Sequence, residues 1–333
     1  MALWAVSGGS GFLGVHLLRA LGAAGHSVRS LDLEPSPFAG VDGILGDVRD
    51  PDAARRLCAG ADVLVHAAAA LPGPGSRREL RSVNLEGTRT LLAAARAAGV
   101  RRVVFVSSAV VYGLLPPPVR ETAAPRPVEA YGRVKLAAEG LCRAEGAVVL
   151  RPTAFVGPER LGVFGILFEW VRQGRRLYTL GPGGNRYQLL AVEDLVAAVL
   201  LAGERPVAGE TFNLGATRLA TVRQELEALV RHAGSSSRVV ALPAAPAKAV
   251  LATLSLARLA PFAEWHYRSA DHDVVLDVAR AGERLGWRPR RSNGDALAAA
   301  YDWYVANRAR LPAGRGQRTL WRERALAVAR RLS

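Results

Sequence analysis

Along the first half of the chain, short β-branched and aliphatic runs alternate with longer stretches rich in Ala, Leu and Arg. The short runs predict strands over residues 3–7, 27–31, 43–46, 63–66, 102–107 and 147–151. The intervening stretches predict helices over 11–24, 51–59, 78–98 and 131–146. Strand-helix alternation at this spacing builds a parallel, doubly wound α/β sheet of Rossmann type. Runs such as "VVFVSS" and "VVLRPT" are unbroken and do not alternate with polar residues, as expected of strands covered by helices on both faces. After residue 158 the pattern loosens. A helix over 162–173, a turn "GPGGN", a strand-helix unit "YQLLAVEDLVAAVLLA", the run "FNLG", an amphipathic helix near 222–233 and the run "LGWRPR" follow. The expected organisation is a doubly wound domain over 1–158 that also receives roughly 187–214. A smaller substrate domain takes 159–186 and 215–307, and a basic amphipathic tail takes 308–333. No internal repeat is visible.

The bulk numbers agree with this picture. A chain of 333 residues with 50% apolar and 22% charged positions is long enough to bury a sizeable core and is not a disordered polymer. Two cysteines, Cys58 and Cys142, offer neither a disulfide framework nor metal-ligand spacing, so no metal is expected and a reducing, cytoplasmic setting fits best. The start "MALWAVSGG" lacks a basic region and a cleavage signal and reads as a first strand rather than a signal peptide. No run of 18 uncharged apolar residues exists; the stretch 241–262 is broken by Lys248, Arg258 and prolines.

Charge changes the picture at one end only. The formal net charge is +15, and residues 308–333 alone hold eight arginines against one acid, Glu323. Trp321, Ala325, Val328 and Leu332 fall on one helical face with arginines on the other. Such a helix lies on anionic membranes or docks on its own protein. Arginine abundance is also what a biased genome composition produces. No motif interleaving aromatic and basic residues for nucleic acid is present.

The candidate chemistry begins at "AVSGGSGFLGVHLLRAL". Gly8, Gly11 and Gly14 stand between a strand and a helix in a G-x-x-G-x-x-G pattern. The first glycine permits the tight turn, the second the approach of a pyrophosphate, and the third the packing of helix on strand. The helix N-terminus then offers free N–H groups to the phosphates. Asp32 ends the second strand, 18 residues after Gly14. A carboxylate there accepts from both ribose hydroxyls and repels a 2′-phosphate, which favours NAD over NADP. The other reading of Asp32 is a solvated loop carboxylate.

The chain has 44 Lys plus Arg, and only Lys135 and Lys248 are lysines. Lys135 follows Tyr131 at i, i+4 in "YGRVKLAAE", so the two share a helix face. A nearby ammonium would lower the phenol's pKa, ordinarily about 10, and a compact cation reaches a ribose better than arginine's planar fork. By itself such a pair is more often an ordinary surface pair. Upstream, however, Ser107 and Ser108 close a strand at the edge where ligands bind in this architecture. Ser, Tyr and Lys with a glycine-rich loop form a set for hydride transfer between nicotinamide and an alcohol or ketone.

At this point the chain resembles the extended short-chain dehydrogenases/reductases, the NAD-dependent epimerase/dehydratase family. "SGGSGFLG", "GDVRD", "VLVHAAA", "VNLEGTRTLL", "VSSAVVYG", "YGRVK", "LRPTAFVGP", "AVEDLV" and "FNLG" occur in family order, and the likeness runs from residue 1 to about 305. The resemblance implies NAD as cofactor, held at Gly8, Gly11, Phe12, Leu13, Gly14, Asp32, Asp47, Val48, Ala67, Ala68, Ala69, Asn84, Ser107, Tyr131, Lys135 and Pro152. It implies Ser108 as the hydroxyl on the substrate oxygen, Tyr131 as acid/base and Lys135 as its partner. Thr153 and Arg186 stand where family members touch substrate, and Arg172, Arg175 and Arg176 lie where a diphosphate is gripped or on a solvated basic face. Pairing of the helices 78–98 and 131–146 across a homodimer is likewise implied.

Three departures narrow the reaction. Ala109 and Val110 occupy the positions of the dehydratases' Asp-Glu pair. Thr153 or Ala154 stands where many nucleotide-sugar epimerases carry Asn. "NRYQLLAV" replaces the usual R-D-[YF]-[IV]-H-V register. The expected function is a sugar-nucleotide epimerase or keto-sugar reductase. The alternative is a dehydrogenase/reductase of a lipid-like or steroid-like alcohol or ketone, favoured by Ala154, the apolar stretch "AVLATLSLARLAPFAEW" and the tail.

Overall fold

The computed structural model describes residues 2–72, 76–256, 264–311 and 318. Among the described residues there are eleven strands: β1 (Leu3–Ser7), β2 (Ser27–Asp32), β3 (Asp42–Leu45), β4 (Val63–His66), β5 (Arg102–Val106), β6 (Val148–Pro152), β7 (Ala154–Val156), β8 (Leu177–Leu180), β9 (Leu189–Ala191), β10 (Thr211–Leu214) and β11 (Val239–Leu242). The helices are α1 (Phe12–Ala23), α2 (Pro51–Cys58), α3 (Arg77–Arg81), α4 (Gly87–Ala97), α5 (Ala130–Ala144), α6 (Val163–Arg172), α7 (Val192–Glu204), α8 (Val222–His232), α9 (Ala244–Leu256), α10 (Glu264–Ser269) and α11 (Asn293–Asn307).

Seven strands form one parallel sheet in the order β3-β2-β1-β4-β5-β6-β10. The order reverses between β1 and β4, and a doubly wound sheet opens its ligand crevice at that point, beyond the strands' C-terminal ends. β1 pairs with both neighbours in register, Val6 facing Ser30 on β2 and Val65 on β4. The strands β4 and β6 are buried throughout, which explains their unbroken apolar runs.

On one face of the sheet, Val6, Val65, Val104 and Leu150 pack against Leu17 and Leu21 of α1 and Leu195 and Val199 of α7. On the other face Ala5, Leu31 and Leu64 meet Leu57 of α2 and Leu91 of α4. A separate core joins Phe168 of α6, Leu229 of α8 and Leu297, Tyr301 and Tyr304 of α11.

Helix starts follow local chemistry. Asp50 caps α2 by accepting from the Asp52 N–H at 2.9 Å, with Pro51 in the first turn. Thr221 with Gln224, and Ser292 with Asp295, form reciprocal capping boxes on α8 and α11.

One expected element differs. Residues 78–98 predict a single helix, but α3 and α4 are joined by a π-helical turn, Ser82–Glu86. The wider turn presents Asn84, whose side chain accepts from the Ala70 N–H at 2.7 Å and donates to the Ala70 carbonyl at 2.9 Å. Periodicity alone does not distinguish a π turn from α-helix, because the same residues remain apolar on the same side.

Candidate active site

The glycine-rich loop joins β1 to α1 at the switch point. Gly8 adopts φ +83°, and a Cβ there would meet the Ala68 nitrogen at 2.7 Å. At Gly14 a Cβ would collide with the Gly8 carbonyl. Both positions therefore need glycine. Gly11 precedes α1 and supplies no side-chain cap, so the first N–H groups of that helix stay available to an anion.

Asp32 serves the loop directly. Its carboxylate accepts from the Ser10 N–H at 2.9 Å and from the Glu34 N–H at 3.2 Å. The Ser10 hydroxyl in turn donates to the Glu34 and Pro35 carbonyls at 3.0 and 2.9 Å. The loop and the end of β2 are thereby one hydrogen-bonded unit. Across the crevice, Asp47 is gripped by Arg49, whose side chain holds that carboxyl below its ordinary range.

The floor beneath the β4 loop is a buried relay. His66 Nδ1 lies 2.8 Å from the Ser7 hydroxyl and its Nε2 lies 2.9 Å from Thr88 Oγ1. Thr88 donates to the Asn84 carbonyl at 2.8 Å. Burial, with Lys135 adding repulsion, drops the His66 pKa to about 3, so the ring is neutral.

These elements enclose a cleft of about 1060 Å³. Its walls include Gly8, Gly11, Phe12, Leu13, Gly14, Asp32, Asp47, Val48, Ala67, Ala68, Ala69, Ser107, Tyr131 and Lys135. A glycine cradle, an uncapped helix start and a carboxylate at the end of β2 in one trough fit a dinucleotide. Asn84, Pro152, Ser108, Thr153 and Arg186 are not in that wall. Asn84 acts from behind it, by pinning Ala70. Pro152 and Thr153 are buried at the end of β6, and Thr153 donates its N–H to the Leu214 carbonyl at 2.9 Å. Ser108, half-buried, caps the short turn Ala109–Tyr112. Arg186 is exposed and its backbone N–H donates to Asp273 at 2.6 Å.

Tyr131 and Lys135 both project from α5. Glu129, buried, starts that helix by accepting from the Gly132 N–H at 3.3 Å. Lys135 Nζ donates to the Val106 carbonyl at 2.7 Å and sits 4.5 Å from the centre of the Phe105 ring. Burial depresses its pKa to about 8, so the ammonium is charged at neutral pH. The phenol behaves differently from the expectation. Burial pushes the Tyr131 pKa up, the Glu129 carboxylate adds to the rise, and Arg160 opposes it. Lys135 is turned to a backbone carbonyl, so desolvation wins and the phenol is protonated at neutral pH. Arg160 is itself held between three aromatic rings, 5.1 Å from Phe12, 5.5 Å from Phe155 and 5.8 Å from Phe164.

Ser107 donates its hydroxyl to Glu139 at 2.6 Å. Glu139 is the hub of a buried network. It accepts from Arg151 at 3.0 and 2.6 Å, and Arg151 donates to the Tyr112 hydroxyl at 2.7 Å. Tyr112 donates to Asn213 at 2.8 Å. The network ties α5, β6 and β10 beneath the serine pair.

Of the arginines proposed for a diphosphate, Arg172 is already paired with Glu169 at 2.9 Å, and Arg175 donates to Gln173 at 2.6 Å. The cleft also holds residues that motif reasoning misses. Trp303, Asn307, Arg310, Leu311 and Arg318 reach it from the C-terminal end, and Glu159 from the loop after β7. No local pattern marks Arg318 among eight tail arginines; Glu159 follows the turn signal Gly157-Pro158, but nothing local aims it at the cleft.

Similarity to known proteins identifies the family. The model of the NAD dependent epimerase/dehydratase family matches residues 4–215, and the chain belongs to that family. Its cofactor is NAD. An uncharacterized protein, y4nG, of Sinorhizobium fredii is 34% identical, covering 94% of this chain and 81% of its own length. Sterol demethylase protein B of Methylococcus capsulatus is 31% identical, with 90% and 97% covered. A dTDP-glucose 4,6-dehydratase of Streptomyces venezuelae, solved with NAD, superposes with a TM-score of 0.75 at 26% identity, covering 93% of this chain and 98% of that one.

Proposed function

We propose that this protein moves hydride between NAD and a hydroxyl or ketone carbon of a small molecule, with Tyr131 handling the proton. The observation that carries this reading is the cleft itself: Tyr131 and Lys135 face the same trough as the glycine cradle and Asp32. When bound, NAD would supply hydride transfer at its nicotinamide ring. Gly8, Gly11, Gly14, Asp32 and Asp47 hold the dinucleotide, and Ser108 donates to the substrate oxygen. Tyr131, protonated at neutral pH, delivers its proton to an oxygen that gains charge as a ketone is reduced, and regains it in the reverse direction. Lys135 keeps a positive charge in the same trough, and Arg160 favours the forming phenolate.

A nucleotide sugar is the substrate we assign, supported by the dTDP-glucose 4,6-dehydratase neighbour. The reaction is epimerisation or keto-sugar reduction. Ala109 and Val110 carry no acid or base for elimination of water, so dehydration is not assigned. A second reading, a lipid-like or steroid-like alcohol or ketone, is favoured by the similarity to sterol demethylase protein B over 90% of this chain. Residues 257–263 of the apolar stretch and the tail positions 321–332 behind its membrane component lie outside the described residues. Among the described residues no helix is long and apolar enough to cross a membrane. We propose homodimer pairing through α4 and α5, testable by light scattering of the purified protein.

Tyr131→Phe is expected to lower turnover by on the order of a thousandfold while NAD binding stays near wild type; near-normal activity of that variant sinks the assignment. A panel of UDP-, GDP- and dTDP-sugars against sterol and lipid ketones separates the substrate readings. An epimerase retains NAD with no net NADH, whereas a dehydrogenase forms NADH stoichiometrically.

A further inference from the structure

We propose that Arg318, 304 residues beyond Gly14 in sequence, is a cofactor-binding residue that donates to the phosphates of NAD. Its guanidinium lies over the glycine-rich loop. One terminal nitrogen donates to the Ser10 carbonyl at 3.2 Å and the other to Glu159 at 2.7 Å. Its third donor, Nε–H, is buried in the same wall and meets no acceptor among the described residues. A buried guanidinium N–H without an acceptor is costly and calls for one. The dinucleotide brings phosphate oxygens to this loop, and guanidinium suits them because its donors form a rigid fork.

Glu159 explains why the guanidinium stays in place. It adopts φ 70°, the single non-glycine residue with positive φ among those described. That strained backbone aims its carboxylate into the cleft, between Arg19 at 3.0 Å and Arg318. Burial tends to raise the Glu159 pKa, but both guanidiniums outweigh it and hold the carboxyl below its ordinary range. A lone carboxylate beside a phosphate site would repel the ligand. Two guanidiniums on one carboxylate leave a net positive charge there instead. Arg310 lines the same wall and adds to it.

This inference stands on the cofactor and is independent of the substrate reading. Its test is binding, on the full chain freed of cofactor, with NAD and adenosine as probes in calorimetry at two salt concentrations. Arg318→Ala is expected to weaken NAD about tenfold to fiftyfold, to leave adenosine affinity unchanged and to flatten the salt dependence. Arg318→Lys keeps the charge and loses the fork, so its NAD affinity falls between the two. Unchanged NAD affinity in Arg318→Ala overturns the proposal. Equal weakening of NAD and adenosine also overturns it, because that result marks a residue that only shapes the wall.

Discussion

Lys135 shows how one side chain is held at odds with its own solvation. The ammonium is buried, bonded to the Val106 carbonyl and set over Phe105, and its pKa falls to about 8. Against an unfolded value of about 10.4, that shift is roughly 3 kcal/mol against the charged form. Protein stability therefore rises with pH from about 8 to about 10.4, where the unfolded chain binds a proton that the folded one does not. Lys135→Met is expected to abolish turnover, to gain on the order of 1–3 kcal/mol at pH 7, and to lose that rise above pH 8. Urea titrations at pH 7, 9 and 10 check all three with an assay of turnover. Lys135 was legible in sequence because arginine fills nearly every other cationic position. The direction of its partner's shift was not, because desolvation depends on what covers a phenol and no spacing encodes that.

At the scale of elements, the site rests on how α5 is tied to β6 and β10. Glu139 and Arg151 are essentially inaccessible, with side-chain exposures of 0% and 3%. Removing one member strands the other charge in the interior. Glu139→Ala is expected to cost about 3–5 kcal/mol in denaturant unfolding. Glu139→Leu combined with Arg151→Met costs less than the sum of the single changes, because neither charge is left alone; strict additivity would show that the pair is not coupled. Sequence patterning placed α5 and β6 within a residue or two of their observed ends. It did not show that Ser107 is committed to Glu139, since the two lie 32 positions apart and meet only through packing. The π turn bearing Asn84 was hidden because apolar periodicity does not distinguish it from an α-helix.

For the molecule as a whole, α11 closes the second core and reaches the cofactor cleft. Glu169 on α6 gathers Arg172, Arg308 and the Tyr304 hydroxyl, the last at 2.5 Å. Burial alone would raise its pKa, yet these bonds hold the carboxyl far below the usual range. The contribution is thus fully present above about pH 4.3 and is lost as pH falls below that. Glu169→Gln is expected to cost about 1–2 kcal/mol at pH 7, since Arg172 and Arg308 remain partly solvated. Because Trp303, Asn307 and Leu311 continue from that helix into the cleft, the variant also binds NAD a few-fold more weakly. Melting curves with and without NAD measure both effects, and a cofactor-induced shift equal to wild type would show that the helix and the cleft are uncoupled.

By itself the sequence determined the doubly wound sheet, the glycine cradle, Asp32 and the Tyr131–Lys135 pair. Each depends on residue type at short, fixed spacing, where strand pleat, helix turn and left-handed glycine impose their own periods. Only the tertiary structure decided that Tyr131 keeps its proton, that Arg308 and Tyr304 close on Glu169, and that Glu159 and Arg318 meet at the phosphate loop. Those outcomes turn on desolvation and on which distant charges packing brings within hydrogen-bond reach.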